Sequence, residues 1–398
     1  MSRLEYRLSS ALLRVLGWLF SLLPKHPERV ALVTARTASL EGNLRAIHDA
    51  VRARRPDLEI VLLLDPYGYG PMSKLRYLLR MVRGMYHVRT AHLVVVDNAY
   101  LPVHVAPHGA TTTVVQVWHA AGALKRFGAD ATTPLTEPEQ TFLHRHYDWV
   151  VTAGEASREP WAAALRTPVE RVLPLGTPRT DAFFDQHAML AARTRVLAAY
   201  PALAGRRVVL YAPTFRGRGK AKRPTEALDA ARLRAALPAD HVLVLKTHPN
   251  LDPGPMSMAG YDVVVDRAAE IDDLLMLTDV LVTDYSSSIF EYALLRRPIV
   301  LLVGDLAEYE TDPGLYLDYR TDMVGARVTD TDGVIDAVLH ADVDPAAYDT
   351  FVARHLGACD GHASERFVER FLGAGRDQAV AGHCDGRRIG DGGSQSRG

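Results

Sequence analysis

The sequence is poor in cysteine. Only Cys359 and Cys384 occur in 398 residues, both near the C-terminus. That excludes a disulfide framework and a Cys-rich metal site, and it fits a reducing compartment. Charge of one sign is not in excess. The formal net charge is -1, which excludes a chain built as a whole to bind nucleic acid or another polyanion. Any charged partner must be met by a local patch. No apolar run reaches the ~20 residues that span a bilayer. The nearest approach, "SALLRVLGWLFSLLP", is interrupted by Arg14 and ends at Pro24. No small-x-small cleavage site follows it, as a secretory signal would require. Residues 1–28 are therefore expected to form an amphipathic helix that lies on a membrane or packs on the first domain. Acidic residues are missing altogether from 66–96, which hold Lys74, Arg76, Arg80, Arg83 and Arg89. Helical spacing puts Arg76, Arg80 and Arg83 on one face, with Leu75, Leu78, Leu79 and Val82 largely elsewhere. A basic amphipathic helix of this kind suits an anionic membrane surface.

What the chain does have is 48% hydrophobic and 23% charged residues, a globular balance, at a length that favours two domains. Short β-branched runs recur with helical stretches between them. The first series is "RVALVTA", "LEIVLLL", "HLVVVD", "TVVQVWH" and "WVVTAG"; the second is "RVVLYAPT", "HVLVLKTH", "YDVVVD", "DVLVTD" and "PIVLLV". Continuous apolar runs predict strands buried on both faces of a parallel sheet, and their alternation with helices predicts βαβ units. An Ala/Arg-rich helical stretch, 186–206, separates the series. The expected fold class is α/β: two Rossmann-like domains, 29–190 and 200–374, facing across a cleft. The tail 375–398 is rich in Gly, Arg and Asp and is expected to be disordered. His383 and Cys384 lie in it, and a metal reading of them is disfavoured.

Ligands of such sheets sit at the carboxyl ends of the strands. "VTDYSSSIFEYALLRRP" runs from a strand through Asp284 into Ser286, Ser287 and Ser288, and then into a helix. Helix N-termini and hydroxyls suit phosphate, although Asp and Ser are also ordinary caps. In "QVWHAAGALKRFG", His119 ends a strand, small residues around Gly122 would let backbone approach a ligand, and Lys125 follows. In "LKTHPN", Lys246 and His248 end a strand of the second series. "YAPTFRGRGK" sends Thr214 into a loop with Arg216, Arg218 and Lys220, fit for an anion. "GTPRTD" places Arg179 at the expected domain boundary.

Taken in order, these motifs resemble the CDP-glycerol glycerophosphotransferases of teichoic acid and related polymer synthesis. The resemblance covers roughly residues 29–370. It implies a GT-B architecture, with the donor held mainly by the C-terminal domain, on a monotopic protein at the cytoplasmic membrane face. It also implies functional roles for His119 and His248, a donor phosphate site at Asp284 and the serines, and motif positions at Arg216 and Arg179. Where many members read Trp-His-Gly-Thr-Pro-Leu-Lys, this chain reads "WHAAGALK", and "PRTD" replaces Pro-Arg-Asn-Asp. The expected reaction moves a polyol phosphate from a CDP-alcohol to a lipid-linked acceptor hydroxyl. His119 would serve as base, and His248 with the serines would hold the diphosphate. No cofactor is required, and no Asp-rich metal cluster is evident. The alternatives are a GT-B glycosyltransferase using a sugar nucleotide, and a non-catalytic membrane scaffold.

Overall fold

The computed structural model describes residues 3–66, 71–132, 140, 143–217, 222, 223, 225, 227–247, 258–266 and 269–373. Among them are two six-stranded sheets, parallel throughout. The first contains β1 (His26–Thr34), β2 (Glu59–Leu64), β3 (Ala91–Val96), β4 (Thr113–Gln116), β5 (Trp149–Val151) and β6 (Val172–Leu173), in the order β2-β1-β3-β4-β5-β6. The second contains β7 (Arg207–Ala212), β8 (His241–Lys246), β9 (Val263–Val265), β10 (Val280–Thr283), β11 (Ile299–Leu302) and β12 (Ala326–Val328), in the order β12-β11-β10-β7-β8-β9. The ten apolar runs in the sequence all became strands. β6 and β12 were not legible because they are two and three residues long, and β12 is largely exposed. Burial along Val30–Thr34 and along all of β8 is continuous, as a sheet covered on both faces requires.

Strand order fixes where ligands can enter. The order reverses between β1 and β3 in the first sheet, and between β7 and β10 in the second. A crevice opens beyond the carboxyl ends of the strands at each reversal. The residues after β1 and β3 flank one crevice, with those after β4 beside it, and the residues after β7 and β10 flank the other.

The last described helix, Ala363–Leu372, returns to the first sheet, although the sequence had suggested that it belongs with the second. Phe367, Val368, Phe371 and Leu372 pack with Val30, Leu32, Leu44, Ile47 and Val51. Asp181, the last residue of "PRTD", caps it by accepting from the N–H groups of Ala363 and Ser364 at 2.9 and 2.8 Å. The segment 124–132 of the first unit pairs with 313–316 of the second. Arg126 N–H donates to the Gly314 carbonyl and Tyr316 N–H to that of Leu124, both at 3.0 Å.

The helix α1 (Arg3–Ser21) packs one face on the first unit and leaves the other exposed. Leu13 is buried, and Gly17 lies against Met85 of α3 (Pro71–Thr90). The opposite face leaves Leu4, Leu8, Leu12, Val15, Trp18 and Leu19 exposed, Trp18 by 63%, and Leu22 just beyond the helix is exposed by 70%. On α3, Leu75 and Leu79 are exposed together with Arg76, Arg80 and Arg83 rather than apart from them, while Leu78 and Val82 are half-buried. Among the described residues no helix is long and apolar enough to cross a membrane.

Gly122 was expected to admit a ligand. Instead, the ring of Phe290 fills the space where its Cβ would be. The turn after His119 is small so that the two units can close on each other. Gly122→Ala should therefore cost about 1–3 kcal/mol by overpacking, read as a lower denaturation midpoint. An unchanged midpoint would mean that Phe290 swings aside.

Candidate active site

The second sheet's crevice is organised by Asp284, the residue after β10. It is 2% exposed, and its oxygens are fully engaged. Oδ1 accepts from the N–H groups of Thr214 and Tyr285 at 2.8 and 2.7 Å, and Oδ2 from Thr214 Oγ1 and Arg216 Nη1, both at 2.9 Å. Asp284 therefore joins the ends of β7 and β10 and aims Arg216. It has no oxygen left for a ligand, so its part at the site is to hold other groups.

Arg216 is gripped from the other side by Asp305, Nε to Oδ2 at 2.6 Å and Nη2 to Oδ1 at 3.2 Å. Its guanidinium lies 5.1 and 5.0 Å from the ring centroids of Tyr285 and Tyr309, which stack on each other at 3.7 Å. Burial alone would raise the Asp305 carboxyl, but the hydrogen bond and charge of Arg216 outweigh it and hold it below the ordinary carboxylate value. Tyr285 hydroxyl donates to the same carboxylate at 2.9 Å. From the first unit, Lys125 Nζ reaches over the Tyr309 ring at 5.5 Å. Two cations from opposite sides of the cleft thus meet at one aromatic pair.

Ser286 and Ser287 are half-buried and Ser288 is buried, at the start of the helix Ser288–Ala293. Ser286 Oγ lies 2.7 Å from Ser288 Oγ and accepts from the Ser288 N–H at 3.3 Å. Capping thus accounts for Ser286 in part. No side-chain cap bond comes from Ser287. The helix has only six residues, so hydroxyls and local N–H groups, rather than a long helix dipole, must supply any phosphate affinity.

On the facing side, His119 lies three residues beyond β4, half-buried, with Nδ1 3.3 Å from the Asp97 carbonyl. Asp97 follows β3, at the first sheet's reversal. Its buried carboxyl is pushed up to about 6 by desolvation. Beside Trp118 is a buried polar group in which the Tyr147 hydroxyl meets His104 Nε2 at 2.8 Å and His144 Nδ1 at 3.2 Å. Burial drives His144 down to about 3.

The remaining expected residues do not gather at one point. Lys246 is 4% exposed, and its Nζ donates to the Asp266 carbonyl at 2.7 Å, tying β8 to the end of β9. Arg179 is bound to Glu291 of the serine helix and lies 3.6 Å from Asp272, an interdomain contact. His248, Arg218 and Lys220 lie outside the described residues, as does the tail from 374. Sequence reasoning missed Tyr285, Tyr309 and Asp305. Asp305 follows a strand closely, as Asp284 does, and that position was the available signal.

The sequence pattern of the family described as CDP-Glycerol:Poly(glycerophosphate) glycerophosphotransferase matches residues 17–373. A teichoic acid ribitol-phosphate primase of Bacillus spizizenii (strain ATCC 23059 / NRRL B-14472 / W23) is 31% identical, over 90% of this chain and 95% of its own. The ribitol-phosphate polymerase TarL of Staphylococcus aureus (strain NCTC 8325 / PS 47) is also 31% identical, over 84% of this chain and 61% of that longer protein. Among solved structures, the wall teichoic acid polymerase TagF superposes with a TM-score of 0.70 at 19% identity, covering 97% of this chain and 100% of that one. The GT-B-like architecture is thereby shown.

Two outcomes follow from the geometry. Asp284→Ala should destabilise the protein by about 3–5 kcal/mol, because it strands a buried partner, whereas Ser286→Ala should stay within about 0.5 kcal/mol; denaturant titration separates them. His144 is held neutral in the folded protein at a value below its unfolded one. The stability it lends is therefore complete above about pH 6.5 and falls on acidification by up to about 1.4 kcal/mol per pH unit. His144→Gln should lose less of its thermal midpoint between pH 7.5 and 5 than the wild type does.

Proposed function

The chain belongs to the CDP-glycerol:poly(glycerophosphate) glycerophosphotransferase family, and from that membership we propose that it transfers a polyol phosphate from a CDP-alcohol to a hydroxyl of a lipid-linked acceptor in teichoic acid or related envelope polymer synthesis. One observation carries the reading most. Lys125 of the first unit and Arg216 of the second meet at the ring of Tyr309, beside the serines that follow β10.

In this reading the acceptor oxygen attacks the β-phosphorus of the CDP-alcohol. The new P–O bond forms as the bond to CMP breaks, and the acceptor's proton passes to His119. Ser286, Ser287 and the N–H groups around them hold the diphosphate, and His248 is assigned to the same task. Arg216 and Lys125 offset the charge that develops on the transferring group. Arg216 starts neutralised by Asp284 and Asp305, so donor phosphate would have to displace Asp305, the more exposed of the two. Ribitol is the first polyol to test, since both relatives at 31% identity carry ribitol phosphate in their names.

The exposed apolar face of α1, together with the exposed Arg76, Arg80 and Arg83 of α3, supports peripheral attachment to the anionic cytoplasmic face of the membrane, where a lipid-linked acceptor would be found. At about 1 kcal/mol per basic residue, Arg76→Glu/Arg80→Glu/Arg83→Glu should weaken binding to phosphatidylglycerol vesicles by at least about tenfold. Undiminished binding would remove the basic face from the argument.

The central test is calorimetric titration with CDP-ribitol, CDP-glycerol and UDP-glucose, followed by assay of CMP release. His119→Ala should cut CMP release by about 10²–10⁴-fold, to a measurable residue, and leave donor affinity nearly intact. Ser286→Ala/Ser287→Ala should lose donor affinity. Binding of UDP-glucose alone would move the protein to the glycosyltransferase reading.

A further inference from the structure

Trp118, immediately before His119, has φ of 50°. A residue other than glycine holds this left-handed conformation only where its surroundings over-determine it. Here two buried amide side chains do so. Gln116 is fully buried, and its Oε1 accepts from the Trp118 N–H at 2.8 Å. Its Nε2 donates to the Asn98 carbonyl at 3.2 Å. Asn43, at the start of the helix α2 (Gly42–Arg54), is 3% exposed. Its Nδ2 donates to the carbonyls of Trp118 and Val117 at 3.0 and 3.3 Å. Its Oδ1 accepts from the Arg179 N–H at 3.0 Å. Because only an oxygen can accept that N–H, the orientation of the amide is fixed by the network. The indole ring is clasped as well, stacked on Phe127 at 4.7 Å and 4.4 Å from the His119 ring.

We propose that Asn43 and Gln116 are positioning residues for the transfer reaction, pinning the left-handed Trp118 peptide from both ends so that His119 faces the donor's phosphorus. The inference rests on the reading of His119 as the base. It also explains a link between the two units. The backbone of Arg179 is held by Asn43, and its side chain by Glu291 on the serine helix. One buried amide thereby sets His119 in register with the helix that would hold the donor phosphates. Neither Asn43 nor Gln116 touches substrate in this scheme.

Two near-isosteric substitutions test it in the full chain. Asn43→Asp keeps the acceptor for Arg179 but loses both donations to the Trp118 turn. Gln116→Met removes the acceptor for Trp118 N–H. Each should lower kcat ten- to a hundredfold with CDP-ribitol or CDP-glycerol, whichever the wild type uses. Donor affinity by calorimetry should stay within about twofold. Placed on His119→Ala, Asn43→Asp should cause no further loss of residual turnover, because its effect passes through that histidine. A purely structural role would lower donor affinity and kcat together, and would compound with His119→Ala. Either result overturns the proposal, as does an unchanged kcat in the folded variants. Should Asn43→Asp fail to fold, Gln116→Met decides alone, its own double variant with His119→Ala taking the place of the Asn43 one. A wild-type protein inert toward every CDP-alcohol overturns the functional reading and this inference with it, whereas an active wild type with unaffected variants overturns the inference only.

Discussion

The structure turns on one buried carboxylate. Asp284 takes four hydrogen bonds from the ends of β7 and β10, the two strands between which the second sheet reverses. Without that anchor, Thr214, Tyr285 and Arg216 have no common reference point. The serines that follow Tyr285 inherit their position from it. A buried acid is costly unless every lone pair is met. Here each is met, so the cost of burying it is offset by definite geometry at the mouth of the sheet.

Close packing at the junction of the two units depends on glycines. Gly122 against Phe290 and Gly176 against the Ala358 carbonyl both sit where a side chain would collide. Arg179 adds a charged bridge into the serine helix. The two units are therefore joined by close packing as well as by a salt bridge.

Much of this was legible in the sequence. Ten strands announced themselves as apolar runs, and His119, Lys125, Arg216 and the serines stood out at strand ends. What was illegible was relational. A strand-end position does not reveal which strands are neighbours, so nothing in "YAPTFR" and "VTDYSSS" foretold that Arg216 would bind Asp284 rather than wait open for an anion. Lys246 looked like a ligand group because of its position, yet burial turned it inward to Asp266. Asn43 and Gln116 gave no signal at all, since a polar residue beside apolar ones reads as surface until the fold encloses it. The exposed apolar stripe of α1 was half anticipated: periodicity gave an amphipathic helix, but only packing could say which stripe was spent on α3.

The helix Ala363–Leu372 closes the first sheet although it follows the whole second sheet in the chain. The first unit is therefore discontinuous. As the polypeptide leaves the ribosome, the face formed by Val30, Leu32, Leu44 and Ile47 must wait uncovered while nearly two hundred further residues are made. Domains generally form as units during synthesis, N-terminal first, but here the N-terminal one cannot be completed before its successor. Completion of the first unit thus waits on synthesis of the helix Ala363–Leu372.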